Sequence, residues 1–335
     1  MSGPPSPRNT ILCAAGVCPS GPSVEITYLG VAGFMIRSER HVLLTAPMFS
    51  NPPLRRVAPY PFWHGPVLEP DTALVRQLVP IEAQRASAIL VGHGHYDHLL
   101  DVPFIADSLV RGALIYGGPS VRNMLAGDVG LRPRLVAVGG DSVGTISSVG
   151  EWITSRDGGF RFMALRASHA PAVSEWRWRF DFAPGTVDTM LGALPRHAWD
   201  WKAGEPYAWL IDVLDTRGRP TFRIYFQDAA TDAPLGFPPA SLAGRRVDVA
   251  ILCVPNSRDA APPAPDALLD SLRPRYVIAG HWESFFWTQL EGIHTNSASN
   301  LGAFGESMSR HLPADAAWSA PEPMERLWFR AAASR

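Results

Sequence analysis

Four apolar segments of this chain each run into residues of the kind that bind metals, and this recurrence restricts its fold more than any other feature. Ala88-Ile89-Leu90-Val91 leads through Gly92 into His93-Gly94-His95-Tyr96-Asp97-His98. The stretch Arg161 to Arg166 leads into Ser168-His169, Thr221 to Phe226 into Gln227-Asp228, and Tyr276 to Ala279 into Gly280-His281. Five of the ten histidines lie at these strand ends. Buried strands that deliver polar ligands to open loops along one edge are how α/β folds position their chemistry.

The remaining pattern is consistent with that reading. Val24 to Leu29, Phe34 to Ile36 and Val42 to Leu44 alternate as a β-meander. Leu99 to Val110 and Ser120 to Leu125 have helical spacing around a strand at Ala113 to Tyr116, so part of the sheet should be parallel. Short strands follow at Leu135 to Val138 and in the stretch from Gly144 to Ile153, with a later strand at Val247 to Val254 and a helix near Ala267 to Leu272. Residues 1–23 read as a flexible tail and 24–335 as one domain with two interruptions. The first, about 48–71, is rich in Pro and aromatic residues and reads as a surface loop; a helix from Thr72 to Gln84, capped by Asp71 and broken at Pro80, comes after it. The second, about 170–207, contains Trp176, Trp178, Phe180, Phe182, Trp199, Trp201 and Tyr207.

Composition excludes some partners. Lys and Arg total 30 against 31 for Asp and Glu, with Lys202 the only lysine, so no net positive field gathers a phosphate backbone and nucleic acid is not expected as a partner. No segment approaches the roughly 20 consecutive apolar residues of a membrane span. Three cysteines are too few for a disulfide scaffold, and Cys253, inside Ala250 to Val254, reads as a core thiol. Cys13 and Cys18 lie in a short apolar stretch after Arg8 that makes a poor leader. A cytoplasmic location is the default, and an exported form stays open if that stretch is a degraded leader.

Three imidazoles and a carboxylate within six residues would need several partners in any purely structural role. With His169, Asp228 and His281 following in order, the chain resembles the metallo-β-lactamase superfamily from about Val24 to Phe286. That resemblance implies an α/β fold of the four-layer αββα type. It implies that His93, His95 and His169 hold one metal, that Asp97, His98 and His281 hold a second, and that Asp228 bridges them. Asp97, His98 and Asp228 would then be the catalytic carboxylates and imidazole. Two zinc ions suit these ligands, with iron or manganese as substitutes. Water shared by two such ions loses a proton near neutral pH and becomes a nucleophile. The chain departs from the family in two places. Leu44-Thr45-Ala46-Pro47 lacks the supporting carboxylate expected at Ala46, and Gln227-Asp228-Ala229 replaces the usual Gly-Asp-Thr.

The resemblance implies a dinuclear hydrolase cleaving an ester, lactone or phosphodiester of a small molecule, in which an acyl or aromatic group would suit the aromatic insertion. It is similar in finer detail to the branch that holds N-acylphosphatidylethanolamine phospholipase D and ascorbate-phosphate lactonase. Tyr96, Trp176, Trp178, His197, Trp282 and Glu283 are the candidate substrate contacts, with Arg166 and Arg177 as further polar candidates and Phe285, Phe286 and Trp287 next to the last ligand. Two other readings remain: a mononuclear iron oxygenase of the persulfide type built on His93, His169 and Asp228, and a non-catalytic metal-binding module.

Overall fold

The computed structural model describes residues 23–58, 65–170, 173–175, 178–242, 244–257 and 265–330. Residues 1–22, which include Cys13 and Cys18, lie outside the described residues, as do Trp176 and Arg177.

The strands are β1 (Ser23–Gly30), β2 (Gly33–Ser38), β3 (His41–Thr45), β4 (Ala86–Leu90), β5 (Leu114–Gly117), β6 (Leu135–Ala137), β7 (Ile153–Thr154) and β8 (Phe160–Arg166). They continue as β9 (Val173–Glu175), β10 (Trp178–Phe180), β11 (Tyr207–Leu214), β12 (Pro220–Phe226), β13 (Val249–Cys253), β14 (Tyr276–Gly280), β15 (Ala317–Ser319) and β16 (Arg326–Arg330). The helices are α1 (Leu54–Val57), α2 (Thr72–Leu78), α3 (Tyr96–Leu99), α4 (Val102–Ser108), α5 (Pro119–Leu125), α6 (Asp266–Leu272) and α7 (Leu301–His311). None of these helices is long and apolar enough to cross a membrane.

Two seven-stranded sheets face each other, in the orders β16-β1-β2-β3-β4-β5-β6 and β15-β14-β13-β12-β11-β8-β7. Each is antiparallel at one end and parallel at the other. The β-meander expected from the sequence is β1 to β3, and the parallel run is β3 to β6. In the second sheet the parallel run is β12 to β15. The sheets share one core, in which Ile26, Phe34, Ile36 and Leu90 of the first pack with Phe162, Trp209, Ile211 and Ile251 of the second. Helices α4 and α5 cover the outer face of the first sheet through Ile105, Val121 and Met124, and α6 and α7 cover the second through Leu268, Leu269 and Phe304. Both faces of the parallel strands are therefore buried, so β4, β13 and β14 are buried along their whole length without alternation.

A charged cluster crosses the second sheet. Asp212 on β11 lies opposite Arg161 of β8 and Arg223 of β12 in register, and it accepts hydrogen bonds from both guanidinium groups at 2.8–3.0 Å. Trp152 lies over Arg161, 4.3 Å from guanidinium carbon to ring centre.

Two expectations need correction. Residues Met48 to Asn51 are buried rather than surface loop, because the carboxylate of Asp101 accepts the N–H groups of Phe49 and Ser50 at 2.7 and 2.9 Å and draws the segment inward. The helix read from Thr72 to Gln84 ends at Leu78, and a tighter turn over Ile81–Arg85 comes after Pro80; Asp71 caps the helix through the Leu74 N–H, as the sequence suggested.

Candidate metal centre

The ligand-type residues lie where the sheets' strands end. His93 follows β4, Asp228 follows β12 and His281 follows β14, all at the carboxyl ends of strands in parallel runs, while His169 follows β8. The loop between β4 and α3 is held by its backbone: Val91 N–H bonds Tyr116, the Gly92 carbonyl accepts from Tyr207 N–H, and Gly94 N–H bonds the Ala203 carbonyl at 2.9 Å. Trp209 adds an indole N–H to the Val91 carbonyl at 3.1 Å. Gly94 has no substitute here, since a Cβ on it would lie 2.3 Å from the Lys202 carbonyl oxygen and 2.4 Å from Met124. The segment 199–204 of the aromatic insertion thus lies directly on the motif loop, and α3 then starts within the motif and places Asp97 and His98 in one turn.

Two sets of three ligand atoms form. In the first, His93 Nε2 lies 3.0 Å from His95 Nδ1, and His169 completes the group. In the second, Asp97 Oδ2 lies 3.3 Å from both His98 Nε2 and His281 Nε2. Donors around a tetrahedral ion with bonds of about 2.0–2.1 Å stand about 3.3 Å apart, and these spacings match that edge. Three protein ligands per set leave a fourth position open, the pattern of catalytic rather than structural metal sites. His169 donates through Nδ1 to the Ala170 carbonyl at 2.6 Å, which leaves Nε2 as the nitrogen available to a metal.

The electrostatics agree with metal ligation. Burial, reinforced by neighbouring imidazoles, holds His93 and His95 well below the ordinary histidine range, and burial lowers His169 as well. The first set therefore carries the neutral imidazoles that a cation requires. For Asp97, burial pushes upward, but His98 and His281 overcome it and keep the carboxyl well below its usual range. Burial raises Asp228, partly offset by the surrounding histidines.

Asp228 meets the other side of the rings. Its Oδ1 lies 3.1 Å from His93 Nδ1 and its Oδ2 3.6 Å from His98 Nδ1. These three residues form a further metal-capable grouping that shares both histidines with the two sets above. Ala46 is buried and bonds the Leu90 carbonyl through its N–H.

Behind His281 lies a polar network that the sequence did not indicate. His281 has φ of 59°, a left-handed conformation that costs energy for a side chain of this size, and its N–H donates to the Tyr28 hydroxyl at 2.9 Å. Tyr28 donates in turn to Glu283, which also accepts the Val31 N–H. Burial raises the Glu283 pKa.

A cavity of about 310 Å³ opens over the ligands, with walls that include Leu54, Phe182, Trp199, Phe285 and Phe286. Of the candidate substrate contacts, Tyr96 lines it; its hydroxyl is buried without a hydrogen-bond partner among the described residues. Trp282 faces the core and bonds the Pro321 carbonyl, Glu283 lies beneath Tyr28, and His197 contacts the Pro66 carbonyl at 3.2 Å, so these three do not line the cavity. Only the backbone of Trp178 is described, in β10. Arg166 is exposed at the end of β8. The sequence reading passed over Asn256 and Asn296, which line the wall from loops without a recognisable pattern. Cys253, read as a core thiol, is buried at the cavity wall, and burial pushes its pKa up, which keeps it neutral.

The two mixed sheets with their outer helices form an αββα sandwich of the metallo-β-lactamase type. The fold is that of the metallo-β-lactamases. Solved structures with similar folds include the metallo hydrolase Igni18 from Ignicoccus hospitalis, at 14% identity and a TM-score of 0.52 over 92% of this chain and 99% of that one. An isothiocyanate hydrolase from Delia radicum gut bacteria aligns at 14% identity and 0.51, over 92% and 100%. CmlA, a diiron β-hydroxylase from Streptomyces venezuelae, aligns at 12% and 0.50, over 93% of this chain and 55% of CmlA. No family model matches the chain. Within the metallo-β-lactamase fold, the ligand-type residues occupy the strand ends at the mouth of the sandwich.

Proposed function

We propose that the chain is a dinuclear metal-dependent hydrolase acting on a small ester or lactone with a substantial apolar portion. The observation that carries this reading is the pair of three-ligand sets opening into one largely apolar cavity. His93, His95 and His169 would hold one ion and Asp97, His98 and His281 the other. Divalent ions held in this way supply an acidified water and polarise the oxygen of a scissile carbonyl or phosphoryl group. The protein's part is to keep the imidazoles of His93, His95 and His169 neutral and Asp97 ionised, to fix the rings, and to exclude water with Phe182, Trp199, Phe285 and Phe286. Tyr96, whose hydroxyl has no hydrogen-bond partner among the described residues, is the candidate donor toward a substrate oxygen.

A cavity of about 310 Å³ is at the small end of ligand sites, which run from roughly 300 to 1,000 Å³. Within the branch suggested by the sequence, that volume suits a lactone or short ester better than a long-chain lipid. A phosphodiester remains the other member of the substrate class. Protein stripped of metal and reloaded with zinc should turn over members of a panel of aryl esters, lactones and phosphodiesters only in the loaded form. A panel with no metal-dependent turnover rejects the reading.

One observation favours a second reading. CmlA, a diiron β-hydroxylase, has a similar fold, and histidine and carboxylate ligands also suit iron. Iron in the purified protein together with oxygen consumption would select an oxygenase; two zinc ions and ester turnover would select the hydrolase.

A further inference from the structure

We infer that Asn296 turns its side-chain NH₂ group toward the cavity and there selects substrates that carry a neutral oxygen acceptor apart from the reacting bond. This inference rests on the reading of the cavity as a substrate site and names what its wall recognises. Every other hydrogen-bonding group of Asn296 is taken. Its backbone N–H donates to the Trp282 carbonyl at 3.0 Å, and its own carbonyl accepts the Ser299 N–H at 2.9 Å. Its side-chain Oδ1 accepts the Ala298 N–H at 2.8 Å. A backbone N–H can only donate, so this bond fixes which end of the amide is oxygen and leaves Nδ2 as the free end. Nδ2 has no hydrogen-bond partner among the described residues, although Asn296 is only 6% exposed and lines the cavity. Unlike the unpartnered indole nitrogen of Trp201, it is not sealed away from solvent. A molecule in the cavity can therefore satisfy it.

The loop holds this donor in place. Ala298, whose N–H holds Oδ1, returns its carbonyl to the Asn256 N–H at 3.2 Å, so the loops that carry Asn256 and Asn296 brace one another. Rotating the amide would break the Ala298 bond. The turn itself needs only the oxygen, and an aspartate would close it equally well. The nitrogen is what asparagine adds. Among the described residues of the wall Lys and Arg are absent, and Leu54, Phe182, Trp199 and Phe285 make it apolar away from the ligand residues. A carboxylate lodged there would lose its hydration without gaining a cation. The acceptor that suits Nδ2 is therefore an uncharged oxygen, an ether or a second carbonyl. Tyr96 belongs to the ligand motif and serves the reacting end, whereas Asn296 enters from the loop beyond His281 and serves the rest of the substrate.

The test is calorimetry on the zinc-loaded full chain with cyclohexane-, tetrahydropyran-3- and tetrahydropyran-4-carbohydroxamic acid. Their shared head group binds zinc, and their rings differ only in an oxygen against a methylene. Wild type should bind at least one ring-oxygen compound about 3–10-fold tighter than the cyclohexane compound, the worth of one neutral hydrogen bond. Asn296→Asp keeps an oxygen for the Ala298 N–H but has no donor, so the ratio of affinities should fall to one or below, whatever the added charge does to all three. Equal binding of the three by wild type, or a ratio unchanged in Asn296→Asp, would overturn the inference. The wild-type comparison needs no variant, so a substitution that prevents folding leaves the inference open to refutation. Phenyl esters of the same acids test the hydrolase reading separately. Ester turnover without a ring-oxygen preference keeps that reading and rejects the inference; a preference lost in Asn296→Asp without turnover of any ester does the reverse. Wild type that binds none of the three and turns over no ester would overturn both.

Discussion

The backbone N–H of Gly94 donates to the carbonyl of Ala203 at 2.9 Å, joining the centre of the ligand motif to the aromatic insertion more than a hundred residues downstream. The insertion is therefore a support for the motif as well as a wall of the cavity. Gly94→Ala forces a methyl group into the Lys202 carbonyl and Met124, an overpacking that should cost about 1–3 kcal/mol. Thermal denaturation should show that loss together with a lower metal content; a variant with wild-type stability and metal would mean that the insertion moves freely over the motif.

Tyr28→Phe removes the hydroxyl that both accepts the His281 N–H and donates to Glu283. Two buried polar groups lose a partner, at a cost of about 1–3 kcal/mol. Because His281 is held at a left-handed φ, the ring should lose its aim, and one of the two ions should dissociate more readily under chelator competition. Equal release from wild type and variant would show that His281 is positioned by other contacts.

Asp101 supplies a pH dependence of stability. Burial outweighs the hydrogen bonds it accepts and raises its pKa from the ordinary 3.8 to about 6. Between those values the folded protein binds more protons than the unfolded chain, so this carboxyl lowers stability as pH rises through the window. A difference of this size corresponds to about 3 kcal/mol. Asp101→Asn does not titrate, and its amide can keep the bonds to Phe49 and Ser50 with the Ser50 hydroxyl as acceptor. The stability of the variant relative to wild type should therefore rise from pH 4 to about pH 6 and then level off. Denaturant midpoints that keep a constant difference across this range would contradict the assignment.

Asp212→Ala should be among the most damaging substitutions outside the centre. Arg223 is 3% exposed and would keep its charge without the carboxylate that pairs with it, a loss of about 3–5 kcal/mol. Chemical denaturation gives the value directly, and a loss below about 1 kcal/mol, the range of solvent-exposed pairs, would mean that water reaches the guanidinium.

The strands and the ligand-type residues at their ends were legible in the sequence for one physical reason. Buried parallel strands show as continuous apolar runs, and histidines at their ends stand out because few side chains there can remain unpaired. The path of the chain beyond His281 was not legible: the left-handed backbone at that residue turns Trp282 into the core and Glu283 beneath Tyr28, and no periodicity announces such a turn. Met48 to Asn51 resemble loop by composition, yet a single carboxylate some fifty residues away, Asp101, buries them. The order of ligand-type residues singled out Asp228, which lies beside His93 and His98, while the side of the rings it faces depends on distances that residue order does not contain.

Elemental analysis of the purified chain alongside His95→Ala and His281→Ala bears most directly on the two three-ligand sets. Two transition-metal ions per wild-type chain are expected, falling to one in each variant, with circular dichroism unchanged. Wild-type protein that holds no such ion after reloading with zinc or iron, or variants that both keep two, would contradict the centre described by His93, His95 and His169 on one side and Asp97, His98 and His281 on the other.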